Sequence, residues 1–247
     1  MKKTMFTFFL CCSLLLAKAQ IDTIHAQNHK LVLKNLKEGK VAYLVYFTDS
    51  LLDKRTGGDI WERTTKLITF QNHPAVEFTW KWLRRDSIYG IVINICDRKT
   101  LAPIYHIANY KNRGVTAYDF REGYMIPTDT IQNNLALKKP KLPLTIPIIS
   151  WEQDLETYPL LPIKKISQQF DIAFFDPNEK QPTYHRYEVI GKEELQLNAD
   201  TKIKCWMLKI EYGKGNYAIF WLTEQAKEVV KMKEHYNGKY RFKVRQY

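Results

Sequence analysis

Short runs of alternating apolar and polar residues, separated by turn residues, extend over most of this chain. The pattern is clearest after residue 200, where the runs are joined by Gly213-Lys214-Gly215-Asn216, by Thr223–Ala226 and by Asn237-Gly238. Side chains of a β-strand point alternately to opposite faces, and Gly and Asn readily adopt the positive φ of tight turns. The C-terminal part of the chain is therefore predicted to be an antiparallel meander.

The last of these runs, Lys239–Tyr247, predicts a strand with an apolar face and a basic face. The basic face consists of Arg241, Lys243 and Arg245. It could bind an anionic headgroup, or it could keep the edge of a sheet from pairing with another chain, a common use of charged residues. The second interpretation is the expectation. It would leave Lys243 on a polar surface, away from any ligand.

The first half of the chain has the same pattern and predicts about six strands. The best defined of them are Val41–Thr48, Trp61–Phe70, Ala75–Arg84, Ser87–Cys96, Ile104–Tyr110 and Gly114–Phe120. Ile21–Asn28 is predicted to be a poorly ordered lead-in. Asp49–Asp59, which contains paired glycines, is predicted to be a solvated turn. No helix long enough for a βαβ unit is predicted between these strands, which favours an antiparallel sheet.

The middle of the chain differs from both halves. Prolines deny ladder hydrogen bonds, and residues 138–149 contain three of them: Pro140, Pro143 and Pro147. This segment is therefore predicted to cross over between two meander halves. Each half alone is barely long enough for a separate sandwich, so residues 20–247 are predicted to form a single β-rich domain.

The segment after the crossover predicts the one short helix of the exported chain. Ser150-Trp151-Glu152-Gln153 has the spacing of a capping box, and Pro159 would end the helix after about two turns. Trp151 and Leu155 lie four positions apart, which places them on one face of a helix. The helix is expected to cap the sheet with that face.

Residues 1–19 have the three parts of a secretory signal. Basic residues precede the apolar run Met5–Leu16, and Ala17-Lys18-Ala19 supplies small residues where a signal peptidase recognises them. Cleavage after Ala19 is expected rather than lipidation of Cys11 or Cys12, because a lipid-attachment site needs a small residue before the cysteine. The protein is therefore predicted to be exported, to the periplasm or cell envelope of a Gram-negative bacterium.

The exported chain would remain basic, since its formal charge falls from +12 only to +9 when Lys2, Lys3 and Lys18 are removed. None of its later stretches reaches the ~20 apolar residues of a membrane-spanning helix. Outside the cell, a basic surface suits anionic lipid headgroups or polysaccharide better than nucleic acid, which is not expected as a partner. The alternative is that dispersed lysines simply keep a β-rich surface soluble.

Two cysteines, Cys96 and Cys205, remain after export, and both fall in predicted strands. An oxidising compartment permits a disulfide between them, whereas their apolar neighbours suit two buried thiols. The sequence leaves both possibilities open, because it does not show whether the two Cα atoms lie within bridging distance.

Catalytic and metal-binding motifs are not found in the sequence. None of the serines has the flanking glycines of a nucleophile elbow, and the histidines are too dispersed for a zinc motif. Carboxylates cluster near Trp61, as in a glycosidase, although a solvated hairpin end is the simpler interpretation. These carboxylates are Asp49, Asp53, Asp59 and Glu62. The protein is predicted not to be an enzyme, with no cofactor and no metal.

Three segments resemble exported proteins of the domain-of-unknown-function 3108 group. They are Asp97-Arg98-Lys99-Thr100-Leu101-Ala102-Pro103, Phe220-Trp221-Leu222-Thr223 and Glu228-Val229-Val230-Lys231-Met232. The resemblance covers nearly all of the exported chain. It implies a curved antiparallel sheet rolled toward an open barrel, similar in general shape to periplasmic lipoprotein carriers, and it brings no catalytic residues.

One face of the predicted sheet, together with the helix, is the candidate binding site. Its residues are Val76, Phe78, Trp80, Trp82, Trp151 and Leu155. One short helix supplies little volume to fill a rolled sheet, so a cavity for a lipid-like, apolar or amphiphilic ligand is predicted there, with a solid core as the alternative. The predicted function is thus an exported binding protein. The second hypothesis is an envelope module that contacts polysaccharide or a protein partner through its basic face.

Overall fold

The computed structural model describes residues 21–49 and 54–247. Its strands are β1 (Ile21–Ile24), β2 (Gly39–Thr48), β3 (Thr56–Phe70), β4 (His73–Arg84), β5 (Ser87–Asp97), β6 (Pro103–Tyr110), β7 (Gly114–Arg121), β8 (Tyr124–Pro127), β9 (Leu142–Pro143), β10 (Ile149–Ser150), β11 (Gln169–Ile172), β12 (Phe174–Phe175), β13 (His185–Gln196), β14 (Lys202–Gly213), β15 (Asn216–Thr223), β16 (Val229–Tyr236) and β17 (Lys239–Gln246). Short 3₁₀ helices cover Leu33–Asn35 and Leu135–Lys138. A longer helical segment, residues 151–160, consists of a 3₁₀ turn (Trp151–Gln153), α1 (Asp154–Thr157) and a second 3₁₀ turn (Tyr158–Leu160).

Fifteen of the described strands form one sheet, in the order β1-β11-β13-β14-β15-β16-β17-β2-β3-β4-β5-β6-β7-β8-β9. Neighbours in this sheet are antiparallel except β1 and β11, which run parallel. β17 pairs with β2, where Val244 lies opposite Leu44, and this pairing joins the two meanders. Within the described residues β1 and β9 do not pair with each other, so the sheet curves without closing. The prediction of an all-β protein with a curved, open sheet is confirmed.

Two segments that were predicted to be irregular belong to the sheet. Ile21–Ile24 pairs with β11 and is therefore not a loose lead-in. β3 begins at Thr56, inside the predicted turn, because Gly57 with φ +75° lets the strand pair with Phe47 across a register shift. Of the turn, residues 50–53 lie outside the described part of the chain.

The main core lies between the inner face of the sheet and the helical segment. Leu155 and Tyr158 of that segment are buried against residues of many strands, among them Phe78, Leu208 and Phe220. Tyr158 also shares a hydrogen bond with the hydroxyl of Tyr187, at 3.1 Å. An empty helix-sized gap would cost contacts on all sides, so the helical segment is the packing partner that the curved sheet needs.

The capping box predicted at Ser150 does not form. The Ser150 hydroxyl makes hydrogen bonds to Asn94 and Glu152 side chains, and it does not accept from a backbone amide of the helix. The segment therefore begins as a 3₁₀ turn. It continues through Pro159, since a proline in the first turn of the final 3₁₀ helix loses no helical hydrogen bond.

The two cysteines are free thiols in different clusters. Cys96 lies in the main core, where its thiol donates to Gln153 of the helical segment at 3.0 Å. Cys205 lies in a separate cluster with Trp221 and Val230, on the face of β14 opposite to Trp206. A sheet separates the two side chains, which excludes the disulfide alternative.

Candidate functional site

A cavity of about 280 Å³ lies on the inner side of the sheet, beside the helical segment. Its aromatic lining is Trp61, Trp80, Tyr110, Tyr118, Trp151, Tyr212 and Phe220. Its charged lining is Arg63, Arg113, Glu152, Asp154, Asp176, Glu234, Arg241 and Lys243. The wall therefore combines ring faces with charges of both signs, and we call it the inner cavity.

The aromatic wall follows from the pairing of β3 with β4. Trp61 lies opposite Trp82, and Arg63 opposite Trp80, so three indoles and a guanidinium share one face. The ring centroids of Trp61 and Trp80 are 4.6 Å apart, and Trp80 stacks on Trp82 at 6.2 Å. Alternation on two adjacent strands is sufficient to assemble this cluster.

Two of the six predicted site residues line the inner cavity: Trp80 and Trp151. Val76 and Phe78 are buried in the main core, under the helical segment. The predicted cavity extended along the whole strand face, whereas the inner cavity is lined by Trp80 and not by Val76 or Phe78.

The other two predicted residues lie next to the inner cavity but do not line it. Trp82 packs against Trp61 and donates from its indole nitrogen to Asp59 at 2.6 Å. Leu155 is buried and lines a second cavity, of about 230 Å³, that also contacts Tyr43.

Arg63 separates the two cavities and was not among the predicted residues. Its Nε donates to Glu156 at 2.8 Å, a second nitrogen pairs with the same carboxylate, and Asp154 lies at 3.5 Å. Burial alone would lower the pKa of Arg63, but the two carboxylates offset this and hold the pKa above its usual range. This network attaches the helical segment to β3. The period-two spacing places Arg63 on the same face of β3 as Trp61, but this spacing does not indicate that the face is the inner one.

The basic face of β17 points into the barrel, which corrects the prediction for Arg241, Lys243 and Arg245. Arg241 and Lys243 line the inner cavity, and Arg245 lines the second one. β17 lies in the middle of the sheet between β16 and β2, so there is no free edge for these side chains to protect.

The three cations differ in their partners. Arg241 pairs with Glu234 at 2.8 Å, and Arg245 with Glu228 at 2.7 Å. Lys243 is only 5% exposed and has no ion pair or hydrogen bond with any described residue; its Nζ lies 4.4 Å from the Trp61 ring centroid. Burial lowers the pKa of Lys243 to about 8, although Asp154 opposes the shift.

Three further polar groups of the cavity wall have no hydrogen-bond partner among the described residues. They are the indole nitrogens of Trp61 and Trp80 and the hydroxyl of Tyr118. A buried donor without an acceptor costs about 1–3 kcal/mol. An indole nitrogen can only donate and a hydroxyl can also donate, so these unpaired groups of the wall require hydrogen-bond acceptors.

A buried network of Ser150, Asn94, His106 and Glu152 adjoins the inner cavity. His106 Nδ1 and the Ser150 hydroxyl each lie 2.9 Å from Asn94 Oδ1, and Ser150 is 3.1 Å from Glu152. The serine hydroxyl thus faces two oxygens and makes no hydrogen bond to the imidazole. His106 is therefore not placed to activate this serine, and the group within reach that could accept its proton is the Glu152 carboxylate, at 3.1 Å.

The carboxylates near Trp61 are structural rather than paired for glycosidase chemistry. Asp59 is buried and binds Trp82 and Arg84, and these hydrogen bonds outweigh burial and lower its pKa. Glu62 pairs with Lys40. Asp53 lies outside the described residues. Across the described chain no group of three or more metal-ligating side chains forms, and no helix is long and apolar enough to span a membrane.

Fold and cavity together define a β-barrel-like protein with an open sheet and an internal cavity. A solved structure of this class is a β-barrel-like protein of domain of unknown function DUF1849 from Brucella abortus, with TM-score 0.52 and 9% sequence identity over 84% of this chain and 94% of that chain. The likeness concerns the fold alone. The chain itself matches the family model described as protein of unknown function DUF3108 over residues 42–245, and it belongs to that family.

Two further structures are similar at a lower level. One is a protein described as exported, with a YmcC-like fold, from Bacteroides fragilis, at TM-score 0.35 and 9% identity over 85% of this chain and 94% of that chain. The other is described as a lipoprotein from Parabacteroides distasonis, at TM-score 0.31 and 8% identity over 87% and 97% of the two chains. These scores add nothing to the fold assignment. No curated protein matches the sequence.

Proposed function

We propose that this protein binds a small amphiphilic molecule in the inner cavity and does not catalyse a reaction on it. The observation that carries the proposal is the cavity wall, where the ring faces of Trp61 and Trp80 stand beside the buried ammonium of Lys243. Its volume of about 280 Å³ lies near the lower end of known ligand sites, which span roughly 300–1,000 Å³. Aromatic rings supply area for an apolar body, and the unpaired donors supply orientation.

The charged lining favours an amphiphilic ligand over a wholly apolar one. An acyl chain against Asp154, Glu234, Arg241 and Lys243 would desolvate charges without replacing their hydrogen bonds. A molecule with one polar end and a flat or compact apolar end avoids this cost.

A non-enzymatic role is supported by the Ser150 network, in which the hydroxyl makes no hydrogen bond to His106, so the serine–histidine pair typical of hydrolases is not formed. Export is part of the proposal, on the basis of the leader at residues 1–19, which lies outside the described residues. Intact mass of the protein from its source should then correspond to a chain that begins at Gln20; a diacylglyceryl group on Cys12 would contradict this.

The second hypothesis, an envelope module that binds through a basic face of β17, has less support. That face lines the two cavities on the inner side of the sheet and does not form part of the outer surface of the sheet. Native mass spectrometry of protein purified from its source separates the two proposals, since a small co-purifying molecule supports binding in the cavity and a bound protein supports the module.

The direct test uses phenylnaphthylamine, a neutral amphiphile whose fluorescence rises in an apolar site. Saturable one-to-one binding to the wild-type protein is expected. Trp80→Leu should weaken it several-fold, because an aromatic contact contributes about 0.5–1.5 kcal/mol beyond its buried area. Trp221→Leu is the control, since this indole lies in the separate cluster with Cys205 and does not line the cavity, and it should leave the affinity unchanged. Equal affinity in all three proteins would place the probe elsewhere and contradict the proposal.

A further inference from the structure

Lys243 has the most unusual environment among the cations of the inner cavity. Its side chain is 95% buried, and its ammonium stands over the Trp61 ring at 4.4 Å. A cation–π contact of this kind offsets only part of the cost of removing an ammonium from water. Buried lysines are generally paired, so an unpaired one on a cavity wall needs a counter-charge.

The acidic groups that face Lys243 are already bound to other partners. Asp154 Oδ1 accepts from the Leu155 amide and lies 3.5 Å from Arg63, while Glu234 uses both oxygens on Arg241. The remaining charges close to Lys243, those of Arg241 and Arg63, repel it. No described carboxylate therefore neutralises this ammonium by direct contact.

The other unpaired polar groups of the inner cavity can all donate a hydrogen bond. The indole nitrogens of Trp61 and Trp80 are donors only, and the Tyr118 hydroxyl has no partner. Together with an ammonium that offers three N–H groups, they make a wall that requires oxygen acceptors. A carboxylate, phosphate or sulfonate group supplies several acceptors and a negative charge in one ligand group.

From these observations we infer that the inner cavity selects an anionic amphiphile, whose acidic group binds Lys243 while its apolar part lies against Trp61 and Trp80. This inference rests on the proposed function and names the ligand class. Arg241, two positions along β17 and also beside the Trp61 ring, at 5.7 Å, adds a second positive charge near the anion.

The test compares two probes that differ by one sulfonate: phenylnaphthylamine, which is neutral, and anilinonaphthalenesulfonate, which is anionic. Dissociation constants are measured by fluorescence for the wild-type protein, for Lys243→Gln, for Lys243→Arg and for Lys239→Gln. Lys239 is the matched control, an exposed lysine at the start of the same strand. Circular dichroism and a urea unfolding curve establish that each variant is folded.

The wild-type protein is expected to bind the anionic probe about tenfold or more tightly than the neutral one. Lys243→Gln should abolish that preference while leaving the neutral probe's affinity unchanged, Lys243→Arg should retain the preference, and Lys239→Gln should behave as wild type. If Lys243→Gln does not fold, two other measurements test the role of Lys243. Lys243→Arg should keep the preference for the anionic probe, and the wild-type protein should lose that preference at alkaline pH. A phosphate monoester and a carboxylate of the same apolar body, used as competitors, then show which anion fits.

Two results would overturn the inference and leave the proposed function standing: equal affinity of the wild type for both probes, or an unchanged preference in Lys243→Gln. Saturable binding of neither probe would instead refute the proposed function itself. The two failures are therefore distinguishable in one set of titrations.

Discussion

Replacement of Glu156 by Gln tests how strongly the buried ion pair with Arg63 holds the helical segment in the barrel. The side chains of Arg63 and Glu156 are 4% and 12% exposed, so water does little to solvate either charge. Removing one partner of a buried ion pair costs about 3–5 kcal/mol, because the other charge stays buried. Asp154 remains 3.5 Å from Arg63 and compensates in part. We therefore expect a loss at the lower end of this range, about 3 kcal/mol.

The free energy of unfolding is measured by urea denaturation at neutral pH, followed by circular dichroism. Glu62→Gln is the control, because Glu62 is next to Arg63 on β3. Glu62 pairs with Lys40, whose side chain is 57% exposed, and such surface ion pairs contribute about 0–1 kcal/mol. A double variant, Arg63→Met with Glu156→Leu, removes both charges. It should recover part of the loss, because the desolvation cost of both ions disappears with them while Asp154 loses its neighbour Arg63.

The reasoning fails if Glu156→Gln is no more destabilising than Glu62→Gln. It also fails if the double variant is less stable than Glu156→Gln, because the pair would then contribute stability beyond compensating its own burial. The first result would mean that the helical segment is held mainly by apolar packing, and the second that the ion pair is net stabilising.

Three further predictions follow from the same structure. Cys96 and Cys205 should resist alkylation in the native protein, and both should react in denaturant without a reductant, as measured by intact mass. If neither thiol reacts in denaturant, the two form a disulfide and the prediction is wrong. Gly90→Ala should destabilise the protein by about 1–3 kcal/mol, because the added Cβ would lie 2.4 Å from the Tyr110 ring. Gly191→Ala is the control, since nothing lies within 4 Å of its added Cβ. Equal urea midpoints for the two variants would refute the prediction. The affinity of the anionic probe should fall as pH rises above about 8, where Lys243 loses its proton, and the affinity of the neutral probe should not change. Parallel pH profiles for the two probes would exclude Lys243 as the partner of the anion.

The strands and turns could be predicted from the sequence because they depend on local rules. Period-two alternation and the Gly213–Asn216 turn require no knowledge of distant residues, and the meander of β14 to β17 follows from them. Alternation separates the two faces of a strand but does not say which one is inside. On β17 the apolar face looked like the buried one, yet Lys243 is more buried than Val244.

The inward position of Lys243 and Arg63 could not be predicted for a physical reason. It depends on the pairing of β17 with β2 and on the helical segment that brings Asp154 and Glu156 into the barrel. Charged residues are normally exposed, so a rule based on hydrophobicity assigns them to the surface. Trp80 and Trp151, in contrast, line the inner cavity as the sequence pattern suggested, because large aromatic residues are rarely placed without a surface to contact, and their role in binding stays a prediction.

The pairing of β17 with β2 has a consequence for how the protein is made. Val244 lies opposite Leu44, two hundred positions earlier, so the central seam of the sheet forms only after residues 239–246 have emerged from the ribosome and crossed any export channel. Until then β2 and β16 each present an unpaired edge, the kind of surface that promotes aggregation. Contacts of such long sequence separation also slow folding. During synthesis the chain therefore consists of two meanders that are not yet paired with each other. A chaperone that binds unfolded chains would protect these two edges most effectively during this interval.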